Sequence, residues 1–243
     1  MKKVLLAVVT LGTLASCSCS GLNVNFSRTS KAQAEDHRQL KDFERIELLG
    51  SLDVKYEQAD TFSVVVMAPL KVIDDVETRV EGNKLVVNMK GSNSFLNIGV
   101  SDSEDVTVYV TSPDFLGIDL RGSGDFECKQ LLDTDNLDIS LKGSGDIKFD
   151  DIICDQVNVS LVGSGDVELK NVKMLRSNVN LVGSGDIKVN YDDSGKVEAS
   201  LTGSGDIDLT GEVAEFKSSV RGSGDMHRDG LSVRSKETMI NEK

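Results

Sequence analysis

Six aspartates, Asp125, Asp146, Asp166, Asp186, Asp206 and Asp225, each close a Gly-Ser-Gly-Asp tetrapeptide. Carboxylates that recur in this way invite three kinds of chemistry: cation binding, acid–base catalysis, or hydrogen bonding within a turn. If the six stack in a column at the usual inter-strand distance of ~4.8 Å, neighbours repel by about 1 kcal/mol per pair in water, and more where solvent is excluded. Bonding of each carboxylate to backbone amides in its own turn relieves that repulsion and favours the charged form. A hard cation such as calcium, which takes several oxygen ligands at about 2.3–2.6 Å, is the alternative, although the spacing is not that of the nonapeptide calcium repeats. Catalysis fits less well. A catalytic constellation is particular and local, whereas these acidic positions recur down the whole repeat. His37 lies in the stretch read as a tether and His227 in the capping coil, and there is no tryptophan to build an aromatic sugar platform. A Gly-Ser-Gly phosphate loop would need a helix after it, and no helical pattern follows. These residues therefore predict a protein without catalytic residues and without a required cofactor.

The elements that must carry the aspartates are set by the spacing. The motif begins at Gly122, Gly143, Gly163, Gly183, Gly203 and Gly222, so successive copies are 21, 20, 20, 20 and 19 residues apart. A fixed period near 20 is the signature of a solenoid. On each side of the motif apolar residues alternate with polar ones, as in Val159 and Leu161 before Gly163 and Val167 and Leu169 after Asp166. Period-two alternation on both flanks of a turn predicts two strands with one face buried. Twenty residues at about 3.3 Å each trace a loop of roughly 66 Å, enough for one flattened coil and a short connector. The predicted fold is all-β: a single-stranded parallel β-helix of ~20-residue coils, right-handed by the usual crossover preference.

Stacking would also align the outward positions. Two residues after each aspartate, Glu127, Lys148, Glu168, Lys188, Asp208 and His227 would form a column of alternating sign, which favours register. Three residues before each motif, Asp119, Ser140, Ser160, Asn180, Ser200 and Ser219 would form a small, polar, nearly flat face, a candidate binding surface for a glycan or a protein. The bland reading of the same column is an ordinary solvated sheet face.

Upstream, Phe43 to Pro113 lacks the period but contains candidate strands at Thr61–Met67, Lys84–Met89 and Asp105–Val110, with a turn at Glu81-Gly82-Asn83-Lys84. Gly50-Ser51-Leu52-Asp53 reads as a degenerate seventh copy of the motif. Irregular, wider coils are expected at this end. Residues 1–16 have the parts of an export signal: Lys2 and Lys3, an apolar stretch, and Leu14-Ala15-Ser16 before Cys17. That tetrapeptide looks like a lipobox, and acylation of Cys17 would anchor the chain to a membrane. Residues 17–41 then form a lipidated tether, 42–230 the solenoid with regular repeats over 117–228, and 231–243 a polar tail. The net charge of −13 becomes −15 once Lys2 and Lys3 are removed, which argues against nucleic acid as a partner. Cys128 and Cys154 fall at different phases of the coil and read as buried thiols, with a disulfide as the alternative.

Lipobox, strand-rich lead-in and repeated Gly-Ser-Gly-Asp turns together resemble the GIN-domain family of putative autotransporter adhesin heads common in Bacteroidetes, over residues 42 to 227. The resemblance implies a β-helical fold and an adhesion role, and it assigns no catalytic residue. The combined expectation is a non-enzymatic, lipid-anchored adhesion or interaction module of the cell envelope, at the outer membrane. A periplasmic structural or signalling-associated protein is the second reading, and a glycan-active β-helix enzyme the third. The tether lacks an acidic run after Cys17, which leaves the face of the membrane open.

Overall fold

The structure, a computed structural model, describes residues 33–91, 106–235 and 238–239. Cys17, Cys19 and the export signal lie outside the described residues. Among the described residues the elements are strands with one short 3₁₀ turn, Ile73–Asp75. Five long strands, β9 (Phe126–Gly143), β10 (Asp146–Gly163), β11 (Asp166–Gly183), β12 (Asp186–Gly203) and β13 (Asp206–Gly222), each wind one coil and pair in parallel with the next. The predicted parallel β-solenoid is the observed fold.

Each coil has three inward runs, where the sequence pattern had suggested two strands and a connector. In β10 the buried side chains are Ile147 and Phe149, then Ile152 and Cys154, then Val157, Val159 and Leu161. Alternation slips at Asp150-Asp151 and again at Asp155-Gln156, and two consecutive outward residues mark a corner. The stretch expected to be a connector is thus a strand with its own core residues. Variation in coil length is absorbed at the first corner. The 21-residue coil carries its extra residue between Cys128 and Leu131, opposite Phe149 and Asp151, and the 19-residue coil is one residue short between Gly211 and Val213, opposite Tyr191 and Ser194, where Asp193 of β12 adopts φ 43°.

Both glycines of each turn face the carbonyl of the preceding coil, and the first is required by its φ as well. The first glycine takes φ between 130° and 144°, a region closed to residues with a Cβ. For the second, coil height decides: a Cβ on Gly165 would lie 2.1 Å from the Gly145 carbonyl oxygen, and one on Gly185 2.0 Å from that of Gly165.

The non-repeating end mixes parallel and antiparallel pairing. β2 (Arg45–Gly50) and β3 (Asp53–Gln58) stack in parallel on β8 (Gly117–Gly122) and β9, with Gly50 in register with Gly122. Gly50-Ser51-Leu52-Asp53 is therefore a seventh turn in the stack. Beyond it, β4 (Ser63–Pro69) runs antiparallel to β7 (Thr107–Ser112), and β5 (Val76–Glu81) forms a hairpin with β6 (Lys84–Met89). β6 and β7 also stack in parallel on β2 and β3, so the irregular coil expected at this end is present, with antiparallel strands added at its edges. Gly82, at φ 63°, fills the first central position of that hairpin, as a type II′ turn prefers. Residues expected in the tether form β1 (Gln33–Arg38), antiparallel to β4. The strand is hard to read because it lies at an edge and buries only Ala34. At the other end β14 (Met226–Val233) runs into the expected tail, and β15 (Thr238–Met239) pairs with β13.

The core is one continuous cluster. Its repeating part is a set of aliphatic ladders, and its N-terminal part holds an aromatic stack: Tyr56 on Phe115 at 4.2 Å, Phe115 on Phe126 at 5.8 Å and Phe126 on Phe149 at 5.3 Å. Cys128 and Cys154 are free and buried, and burial pushes both thiols up to about 12, which leaves them unreactive at neutral pH. Cys128 pairs with Phe149 and Cys154 with Thr134, so they sit on different runs.

Inward and outward positions separate sharply: Val167 is 1% exposed, while Glu168 reaches solvent. Truncation of Val167 to Ala is expected to cost about 1–3 kcal/mol in chemical denaturation. Glu168→Ala is expected to cost less than about 1 kcal/mol. Equal costs would contradict the assignment of the two faces.

Candidate functional site

Two sets of residues singled out by type and spacing are brought into columns by the stack. In the aspartate column, Asp146 pairs with Asp166, Asp166 with Asp186, and Asp186 with Asp206. Their hydrogen bonds do not stay within the turn, contrary to expectation. Oδ1 of one aspartate accepts the backbone N–H of the aspartate one coil further on: Asp53 from Asp125 at 3.2 Å, Asp125 from Asp146 at 3.0 Å, Asp166 from Asp186 at 3.2 Å, Asp186 from Asp206 at 3.2 Å and Asp206 from Asp225 at 2.9 Å. The reason is geometric. The turn's own amides, those of the serine and second glycine, point at the preceding coil: Ser164 and Gly165 both donate to the Gly143 carbonyl, at 2.9 and 3.2 Å. The carboxylate is left to reach the next coil.

At the step between Asp146 and Asp166 a lysine intervenes. Lys148 Nζ bonds Asp146 Oδ2 at 3.0 Å, and that hydrogen bond with the carboxylate charge holds the ammonium above its usual range. Lys148 does lie in register between Glu127 and Glu168, as the alternating-sign column requires, but its close partner is the motif aspartate on its own strand. Burial pushes Asp53, at the start of the column, above the ordinary carboxylate value. At the far end Asp206, Asp225 and His227 place three potential metal-ligating atoms within 4.8 Å of one another.

The second set forms a surface. On the third run of each coil, Ser140, Ser160, Asn180, Ser200 and Ser219 are in register and line an open groove of about 730 Å³. Asp119 continues the column in register but is held by Arg121 at 2.6 Å and does not line the groove. The groove exists because short side chains sit between two columns of longer ones. One flank, missed in the sequence, is Asp138, Asn158, Asn178, Glu198 and Lys217, two residues earlier in each coil. The same 20-residue spacing would have exposed it. Its amides form a ladder: Asn158 Nδ2 donates to Asp138 Oδ1 at 2.8 Å, and Asn178 Nδ2 to Asn158 Oδ1 at 2.9 Å. Two residues later in each coil the column is Lys142, Val162, Val182, Thr202 and Arg221, of which Arg221 lines the groove.

Arg45 closes one end, bonding Asp138 Oδ2 at 2.7 Å. Partial burial pushes Asp138 up, but hydrogen bonds from Asn158 and Arg45 and the guanidinium charge outweigh it, so the carboxyl lies below its ordinary value. The pair therefore contributes stability above the unfolded aspartate value of about 3.9, lost as pH falls through the native one.

The aspartate ladder makes a prediction that separates amide bonding from cation bridging. Chelator is expected to leave the melting temperature unchanged. Asp166→Asn keeps a side-chain oxygen acceptor and is expected to cost less than Asp166→Ala, which loses the bond to Asp186 and about 1 kcal/mol. A bridging cation would instead add about 2.7 kcal/mol at a hundredfold excess over Kd, seen as a calcium-dependent rise in melting temperature.

Solved structures share this architecture. A putative adhesin from Bacteroides fragilis NCTC 9343 is 24% identical, superimposes with a TM-score of 0.64, and the match covers 88% of this chain and 98% of that one. A putative adhesin from Parabacteroides merdae ATCC 43184 is 16% identical with a TM-score of 0.66, over 87% and 94%. A putative lipid binding protein from Parabacteroides distasonis ATCC 8503 is 20% identical with a TM-score of 0.52, over 87% and 98%. No functionally curated protein matches. Residues 42–171 and 166–241, nearly all of the described fold, match the family described as putative auto-transporter adhesin, head GIN domain. The chain belongs to that GIN-domain family.

Proposed function

We propose that this chain is a non-enzymatic, lipid-anchored interaction module of the bacterial cell envelope, held at the outer membrane through Cys17, with the serine–asparagine groove as its contact surface. One observation carries the reading: a groove of about 730 Å³ runs across five parallel-paired coils and offers hydroxyl and amide groups that repeat from coil to coil. Such a surface suits an extended ligand, a glycan or a polypeptide, whose repeating groups meet one coil after another. The adhesin descriptions of the family and of the related structures support a binding role. No helix among the described residues is long and apolar enough to cross a membrane, so the anchor in this reading is the acylated cysteine.

Two substitutions test the two halves of the proposal. Cys17→Ser is expected to abolish fatty-acid labelling and sedimentation with membranes. Ser160→Arg with Ser200→Arg, which fills the groove from outward positions and leaves the core untouched, is expected to weaken binding of the mature chain to envelope glycans or proteins on arrays at least tenfold. Labelling that survives the first change would remove the anchor. Binding indifferent to the arginines would remove the groove from the account.

A further inference from the structure

A second hollow, of about 490 Å³, lies at the non-repeating end between β1, the 3₁₀ turn and the β5–β6 hairpin. Among the described residues three buried side-chain polar atoms have no hydrogen-bond partner: Arg38 Nε, Thr78 Oγ1 and Asn88 Oδ1. All three belong to residues lining this one hollow, on three different strands. Asn88 is only 6% exposed. Buried polar groups are paired in the great majority of cases, so three unpaired ones around a single space mark it as a place suited to a polar guest.

The chemistry of that group follows from what is unpaired. Arg38 Nε offers an N–H, Asn88 Oδ1 accepts, and the Thr78 hydroxyl does either. An anion would satisfy Arg38 but would face the Asn88 carbonyl oxygen and the carboxylates of Asp74 and Glu77. A cation would suit Asn88 and would be repelled by Arg38, Arg79 and Lys90. These cations are already engaged elsewhere: Arg38 Nη2 with Asp36 at 3.0 Å, Arg79 with Glu81 at 2.6 Å, and Lys90 with the Asp74 carbonyl. The unmet demand is for neutral groups that both donate and accept, which is what hydroxyls do. A hydroxyl also meets the Asn88 amide in either of its orientations. Leu49 and Val76 supply an apolar wall for a ring face. The Asn88 terminal torsion and the Thr78 hydroxyl rotor are soft, so both can turn toward a ring seated in the hollow.

We infer that this hollow binds a neutral polyhydroxylated ring, a single sugar residue. It is separate from the groove and does not depend on the groove's assignment. The test is a titration of the mature chain, carrying Cys17→Ser, with D-glucose, D-galactose and N-acetyl-D-glucosamine, followed by amide chemical shifts. At least one sugar is expected to give saturable shifts around Arg38, Thr78 and Asn88, with Kd on the order of 1 mM. Asn88→Leu and Thr78→Val should each weaken that binding at least tenfold. Thr78→Val preserves side-chain shape and serves if Asn88→Leu does not fold. Absence of saturable shifts with all three sugars, shifts unchanged in the variants, or tighter saturation of the same resonances by sodium phosphate would each overturn the inference.

Discussion

The close approach of one turn's backbone to the next is the constraint on which the other features depend. At each Gly-Ser-Gly-Asp the space a Cβ would need is filled by the carbonyl of the preceding coil, about 2.0–2.1 Å away for both glycines of the repeating turns. That contact lets two amides of one turn converge on a single carbonyl of the turn before it. With the turns locked at that height, Ile147, Val167, Ile187 and Ile207 fall into one ladder, and the third run repeats Val159, Val179 and Ala199. The same registration sends Asp125, Asp166, Asp186 and Asp206 to the amide of the next coil, with Lys148 on Asp146 at the remaining step, so a column that would repel itself becomes a set of charge-assisted bonds.

The outer surface inherits this order. Positions with no core role, such as Ser160, Asn180 and Ser200, are aligned by the turns into a floor, and Asn158 with Asn178 into a flank. A surface of this kind presents the same small set of groups again and again, which favours recognition of something extended. The non-repeating end is different in kind. Antiparallel strands join its parallel ones, and it brings unlike residues, Arg38, Thr78 and Asn88, around a single space. Repetition gives one end a linear surface, and its loss gives the other a local hollow.

Much of the repeat was legible in the sequence because inward and outward residues obey a strict rule there. Val167 and Glu168 could be assigned from alternation alone, and Gly50-Ser51-Leu52-Asp53 from its likeness to the motif. The middle inward run was harder to read, since a run such as Ile152-Ile153-Cys154 is too short to display a period once corners interrupt it. The destination of the aspartate bonds was not legible, because local turn chemistry and inter-coil bonding demand the same residue. Nor was β1: Gln33 to Arg38 buries a single alanine, and only its antiparallel partner β4 makes it a strand. The hollow at Arg38, Thr78 and Asn88 had no signal at all, for those residues are far apart in the chain and unremarkable by type.

The central claim, that backbone contact between turns sets the stack, is tested most directly by comparing Gly165→Ala with Ser164→Ala in equilibrium denaturation. A methyl group at residue 165 must displace the Gly145 carbonyl, and the expected loss is about 2–3 kcal/mol, typical of overpacking in a closed site. Ser164 is exposed, and its side chain makes none of the contacts between coils, so its truncation should stay within about 0.5 kcal/mol. A Gly165→Ala variant as stable as the parent would contradict the account, since the turns would then have room that the stack does not allow.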